Sequence, residues 1–340
     1  MNPLPKIPCR AAAALRARTA FTLLEVMVVT VILVLMMMVL FQVMTVITST
    51  WTQSTQRVDA FQGARLAFDR VTRMLSQATL NVYWDYDDPN KPTVYRRQSE
   101  LQFFVTQTGA NGFPGANPGA GTGHGVFFQV PIGATAKIDR PDYRPLSQML
   151  SAAGFSVRWA GDKDIRPPFI KGPEKFRFRL MQYRGLSENL GVYKDTSIGA
   201  QNATPKWIQD LEMAPLADNI VWLAIHPRLS AIEDPEGDDL TGDYTYDSRK
   251  DADKIPQPIS ANQLPPTVQV TMIAIDEKTA LRLPNKGYDS LLVEAYAGTL
   301  ADVKDYQKDL DRISRMLTEA RINFRIFSTT VQLRESSWSR

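Results

Sequence analysis

One carboxylate, Glu25, stands at the head of a stretch whose next charged residue is Arg57. A carboxylate in a membrane helix costs about 2.5 kcal/mol or more on insertion scales, so it calls for a partner or a function. In a first helical turn it sits at the positive end of the helix dipole. A nearby cation would keep it charged. The other groups able to do chemistry are few. His124 and His226 are the only histidines, and neither has a second His or a Cys at metal-ligand spacing. They read as exposed or strand-end side chains. Residues 233–243 carry Glu233, Asp234, Glu236, Asp238, Asp239 and Asp243. A calcium ion would use Asp234, Glu236, Asp238 and Asp239, but the spacing departs from the EF-hand loop and favours a solvated acidic turn. Phe176-Arg177-Phe178-Arg179-Leu180 interleaves aromatic and basic residues. That pattern suits a nucleic-acid surface or, as we favour, the solvated face of a half-buried strand. No phosphate-binding glycine loop opens a helix and no Gly-x-Ser-x-Gly elbow occurs. No catalytic residue, cofactor or enzymatic activity is expected, and nucleic acid is not an expected partner.

The element that must position Glu25 is the apolar run behind it. Val26 to Ile47 is polar only at Thr30, Gln42 and Thr45. A bilayer core needs roughly 20 apolar residues in a helix, so residues 26–47 suffice for one span. Beyond it Trp51, Val58, Phe61, Ala64, Phe68, Val71, Leu75 and Ala78 recur at helical spacing. One helix is therefore predicted over residues 21–80, roughly 90 Å long. Asp85 to Pro92, with Pro89 and Pro92, ends it. Residues 1–20 form a basic leader with Lys6, Arg10, Arg16 and Arg18 and no acid. Those cations place the N-terminus in the cytoplasm. Losing the leader would take the formal charge from +3 to −1, so the basic balance speaks of topology and not of nucleic-acid binding. The only cysteine, Cys9, lies in the leader, so the exported part has no disulfide. A secretory signal would end in a small-x-small cleavage site, and none follows Ile47.

Residues 81–340 read as an α+β head of short strands. Strands are predicted at Leu101–Val105, Val126–Val130, Phe155–Trp159, Phe176–Leu180 and Asn219–His226, the last ended by Pro227. The clearest is Thr267–Ile275, opened by Pro265-Pro266. Thr108 to Gly125 is a Gly/Pro/Asn tract that reads as an exposed flexible loop. Leu146–Ala153, closed by Gly154, reads as a short helix with a glycine cap. Leu300, Val303, Leu310, Ile313, Leu317 and Ala320 mark a second amphipathic helix ending near Ile322. Phe324 to Leu333 reads as a closing strand, and residues 247–263 as polar and irregular.

Ala20-Phe21-Thr22-Leu23-Leu24-Glu25 after a basic leader resembles the N-terminal signal of type IV pilins and type II secretion pseudopilins. The resemblance implies cleavage by a prepilin peptidase between Ala20 and Phe21 and N-methylation of Phe21. Ala20 stands where most of that family has Gly. Glu25 becomes the fifth residue of the mature chain, where its carboxylate would meet the charged terminus of a neighbouring subunit. Leu264-Pro265-Pro266-Thr267-Val268 and the strand after it resemble the J-type minor pseudopilins. Leu75–Asn81, Tyr83–Tyr86, Pro145–Ser147 through Phe155, Phe176–Met181 and Arg325–Val331 are similar to the Verru_Chthon cassette protein C family, pilin-signal proteins of Verrucomicrobia. The implied fold is pilin-like: a long N-terminal transmembrane and amphipathic helix packed on a mainly antiparallel β-sheet head. The implied role is a minor pseudopilus or pilus subunit. It would sit in the inner membrane, single-pass, with its head in the periplasm and other pilin-like subunits as partners. The alternative is a membrane-anchored or pilus-tip module that binds an extracellular ligand or DNA.

Overall fold

A computed structural model describes residues 22–88, 90–108, 123–136, 148–163, 166–194, 204–230, 232–235, 237–282 and 299–338, without the side chains of 52–60. The chain divides into two compact units, one ending at Thr55 and one beginning at Gln56. Helix α1 (Leu23–Leu75) begins in the first and ends in the second.

In the first unit, Leu23–Trp51 is a helical stretch of 29 residues, long and apolar enough to cross a membrane. At 1.5 Å per residue it extends roughly 43 Å, against a hydrocarbon core of about 30 Å. Its few hydroxyls turn back onto the helix. Thr30 Oγ1 donates to Met27 O at 2.9 Å, Thr45 Oγ1 to Phe41 O at 2.7 Å and Thr50 Oγ1 to Val46 O at 2.8 Å. Polar groups satisfied in this way are tolerated in lipid.

In the second unit the end of α1 buries Ala64, Ala67, Phe68, Val71, Leu75 and Ala78, a stripe at spacings of three and four. Phe68 packs on Phe327 with ring centroids 5.8 Å apart. The helix stops at Leu75, five residues before Leu80. Gln77 and Ala78 N–H tighten onto the carbonyls of Met74 and Leu75, and Thr79 N–H leaves to bond Gln129 O.

The strands are β1 (Tyr83–Tyr86), β2 (Tyr95–Gln98), β3 (Phe104–Gln107), β4 (His124–Pro131), β5 (Leu150–Ala160), β6 (Arg177–Gly185), β7 (Glu212–Asp218), β8 (Ile220–Arg228), β9 (Tyr246–Asp247), β10 (Thr267–Ile275) and β11 (Phe324–Gln332). The helices after α1 are α2 (Lys206–Gln209), α3 (Glu277–Ala280) and α4 (Tyr306–Glu319). β1 and β2 form a separate hairpin; a six-stranded sheet runs β7-β6-β5-β4-β3-β9 and a three-stranded sheet β11-β10-β8. Every strand pairing is antiparallel. β8 packs across β4, β5 and β6, so two sheets enclose a core rich in Phe127, Phe128, Phe155, Tyr183, Trp207 and Trp222. The described chain is thus α+β with a long apolar N-terminal helix and antiparallel sheets.

The helix expected over Leu146–Ala153 is instead the start of β5, as far as it is described. Residues 151–157 are buried, and 152–155 are paired on both sides, to β4 and to β6. That pairing overrides the helical preference of a Leu/Ala segment. Gly154 caps nothing. It faces Phe127, and a Cβ there would lie 2.3 Å from the ring. Pro227 does not end β8, which runs on to Arg228 with Pro227 opposite Val268. The Gly-rich tract lies outside the described residues over 109–122, and its last residues enter β4.

Candidate functional site

Glu25 lies in the first turn of α1, exposed, its backbone N–H bonded to Thr22 O at 3.0 Å. Thr22 precedes the helix as its cap, so the carboxylate projects where four backbone donors lack helical partners. Ala20 and Phe21 lie outside the described residues. Lipid-length apolar side chains follow Glu25 directly, and all of Leu23 to Ile47 is exposed in this unit.

The acidic turn is built differently. Asp234, Asp238 and Asp239 bring their carboxylate oxygens within 4.8 Å of one another, while Glu236 lies outside the described residues. Asp234 is buried and not solvated. Its Oδ1 accepts from Gly237 N at 2.6 Å and from Asp238 N at 3.3 Å, and its Oδ2 from Asp239 N at 3.1 Å. Asp238 pairs with Lys304 at 2.8 Å, and that bond holds its carboxyl below the usual range. Backbone amides thus satisfy the Asp234 carboxylate, and a lysine pairs with Asp238.

The Arg/Phe strand carries no open basic face. Phe178 is buried against Trp159, centroids 4.6 Å apart. Arg179 is buried too, with Nε 2.8 Å from Asp218 Oδ1 and Nη1 3.1 Å from Ala160 O. Arg177 bonds Glu277 Oε1 at 2.7 Å. A solvated strand face was expected here. The observed strand has neighbours on both sides, and Arg177 and Arg179 are held in ion pairs.

The two histidines also depart from expectation. His124 and His226, 102 positions apart in the sequence, meet on either side of Tyr244, each ring centroid 5.1 Å from the phenol ring. All three side chains are buried. His124 Nδ1 accepts the N–H of Ile225 at 3.0 Å, so the neutral ring carries its proton on Nε2. His226 Nε2 lies 2.9 Å from Gly237 O and donates to it, which leaves Nδ1 as an acceptor. His124 Nε2, His226 Nδ1 and Tyr244 Oη have no hydrogen-bond partner among the described residues. A donor, an acceptor and a hydroxyl are complementary, and a buried water could join them. Burial holds His124 down to about 3 and His226 down to about 4, so both are neutral at pH 7. Burial likewise raises Tyr244.

This trio is closed to solvent, which suits structure better than substrate. Gly123 explains part of it. Its φ of +111° and its bridge to Leu223 put the backbone against the free edge of β8, where a Cβ would lie 1.9 Å from Leu223 O. The imidazole of His124 then satisfies the next free edge amide, at Ile225. The one sequence signal was His124 standing just ahead of the apolar run Val126–Val130. No spacing rule pairs it with position 226.

A helix long and apolar enough to cross a membrane, and antiparallel sheets in the second unit, define the class as far as geometry does. No protein-family model, no curated protein and no solved structure matches the chain.

Proposed function

We propose that the chain is a pseudopilin-like structural subunit, processed by a prepilin peptidase and assembled into a type II secretion-like pseudopilus or type IV pilus-like filament. The observation that carries the reading is Ala20-Phe21-Thr22-Leu23-Leu24-Glu25 running into a charge-free helix, with Glu25 in its first turn. Similarity to the Verru_Chthon cassette protein C family and to J-type minor pseudopilins supports the same architecture. Cleavage after Ala20 creates a free amine at Phe21, four residues before Glu25. Within one helix those positions share a face, and between staggered subunits the carboxylate meets the amine of a neighbour. In lipid, apolar packing alone gives little net drive, because tails are as apolar as side chains. Outside the bilayer, each Å² of apolar helix surface buried on neighbours contributes roughly 25 cal/mol. Glu25 then sets axial register, since its charge needs its cationic partner. The leader cations orient the chain with its N-terminus in the cytoplasm and its head in the periplasm of the inner membrane. The role is structural and not catalytic. Glu25→Ala tests it: the variant stays in the membrane fraction, and its co-purification with partner pilins falls. Undiminished recovery of those complexes would count against the assignment.

A second reading, a binding module at a filament tip, is favoured by one observation. The β1–β2 hairpin exposes Tyr83, Trp84, Tyr86 and Tyr95, with Tyr86 and Tyr95 rings 4.3 Å apart. Such rings offer contact area at low entropic cost. The ion-paired arginines of β6 give no support to DNA as the ligand. Binding that stays flat and weak across salt concentrations would remove DNA altogether.

A further inference from the structure

A groove of about 920 Å³ runs along α1 within the second unit, beside the stripe that α1 buries. Its helical wall is Gly63, Leu66, Arg70 and Arg73, continued just past the helix by Gln77, again at spacings of three and four. This wall is offset about 130° from the buried stripe, at 100° per residue. Its facing wall holds Arg184 of β6 and Leu216 of the edge strand β7. Leu66 is 71% exposed. Arg70 Nε bonds Gln182 Oε1 at 3.2 Å. Arg73 and Arg184 have no side-chain hydrogen bond or ion pair among the described residues. Asp69 is the one acidic residue among those lining the groove. Three guanidiniums thus surround an apolar floor with a single counter-charge.

We propose that this groove docks an amphipathic helix of a different subunit, its apolar stripe on Leu66 and Leu216 and its acidic side chains on Arg70, Arg73 and Arg184. The charge sets the class of partner. Guanidiniums pair bidentately with carboxylates and are weakly hydrated, so they suit an interface. The length fits as well: Gly63 to the helix end at Leu75 extends about 18 Å, a little over three turns of helix, which matches helix-in-groove recognition by residues at i, i+3, i+4 and i+7. A second copy of this chain is disfavoured by the same charges, because α1 would bring its own Arg70 and Arg73 against theirs. The apolar stripe of α4 is unavailable for the purpose, with Ile313 and Leu317 already buried. Gly63 leaves the groove open at one end: a Cβ there meets nothing within 4 Å.

The test uses the full-length chain in its own membranes. A photoreactive benzophenone amino acid replaces Leu66, and the cross-linked peptide is sequenced by mass spectrometry. The expected product is a peptide of another subunit, helical in its periodicity and acidic along one side. Reversing the charge at Arg73 and Arg184 (R73E, R184E) lowers the yield about tenfold or more. Gly63→Phe, placed where a Cβ meets nothing within 4 Å, lowers it by filling the groove. Yield unchanged by both variants overturns the inference, as does a cross-link only to lipid, to a second copy, or to nothing. The result is separable from the filament reading. A chain that still begins at Met1 yet cross-links in this way would refute processing and leave the groove standing.

Discussion

Residues 23–51 and 64–75 belong to one helix and make opposite use of it. The first part leaves Val29, Leu35 and Phe41 more than half exposed, while the second takes Val71 and Leu75 to zero exposure. Both are apolar at many positions, yet only the second alternates them with three arginines and an aspartate. A helix that is apolar all round must find its cover in lipid or in other chains, whereas an amphipathic one brings its cover in its own head. The contrast teaches where a partner is needed: the first part calls for an environment, the second already has its core.

The sharpest way to break the contrast is a matched pair of truncations. Leu75→Ala removes a fully buried side chain and should cost the head about 2–5 kcal/mol. Leu35→Ala should leave head stability within about 0.5 kcal/mol. Urea unfolding of the detergent-solubilised chain, followed by tryptophan fluorescence, reads both. Equal effects would mean that the two parts of α1 share one cooperative core.

A smaller effect concerns pH. Free histidine titrates near 6.5, whereas burial keeps the folded imidazoles neutral down to about 3 for His124 and about 4 for His226. Below pH 6.5 the unfolded chain therefore binds more protons than the folded one. The stability linked to these groups is complete above about pH 6.5 and is lost as pH falls through that window toward 4 and 3. Between pH 7 and 5 the loss should be about 1–2 kcal/mol per histidine. Replacing both by Gln should flatten that dependence in the same urea measurement. A head whose stability is unchanged from pH 7 to 5 would contradict the buried placement of the trio.

The smallest effect distinguishes two glycines. Gly63 is helical with open space at its Cβ, so Gly63→Ala should stabilise by about 0.5–1 kcal/mol. Gly123 has φ +111° against Leu223, so Gly123→Ala should instead lower the melting temperature clearly.

What could be read in advance followed periodicity. β10 matches the expected Thr267–Ile275 at both ends, because a proline pair opens it and β-branched residues fill it. α4 and β11 fall inside their expected spans for the same reason. Periodicity failed where neighbours decide. Leu150–Ala153 carries helix-forming residues and became strand by pairing on two sides. The β1–β2 hairpin and β7 had no apolar alternation to announce them, since β1 is exposed throughout and β7 is an edge strand. The meeting of His124, Tyr244 and His226 depends on which strands lie side by side, and local sequence does not encode that. The proposed Glu25 motif differs in kind: it lies within six consecutive residues, and the structure describes Glu25 in the first turn of α1.

The central claim is best tested by the intact mass and N-terminal sequence of the chain extracted from membranes. The account predicts a chain that starts at Phe21, heavier by one methyl group at its amine, with the apolar helix retained. A chain that starts at Met1, or one that has lost residues 23–51, would contradict it.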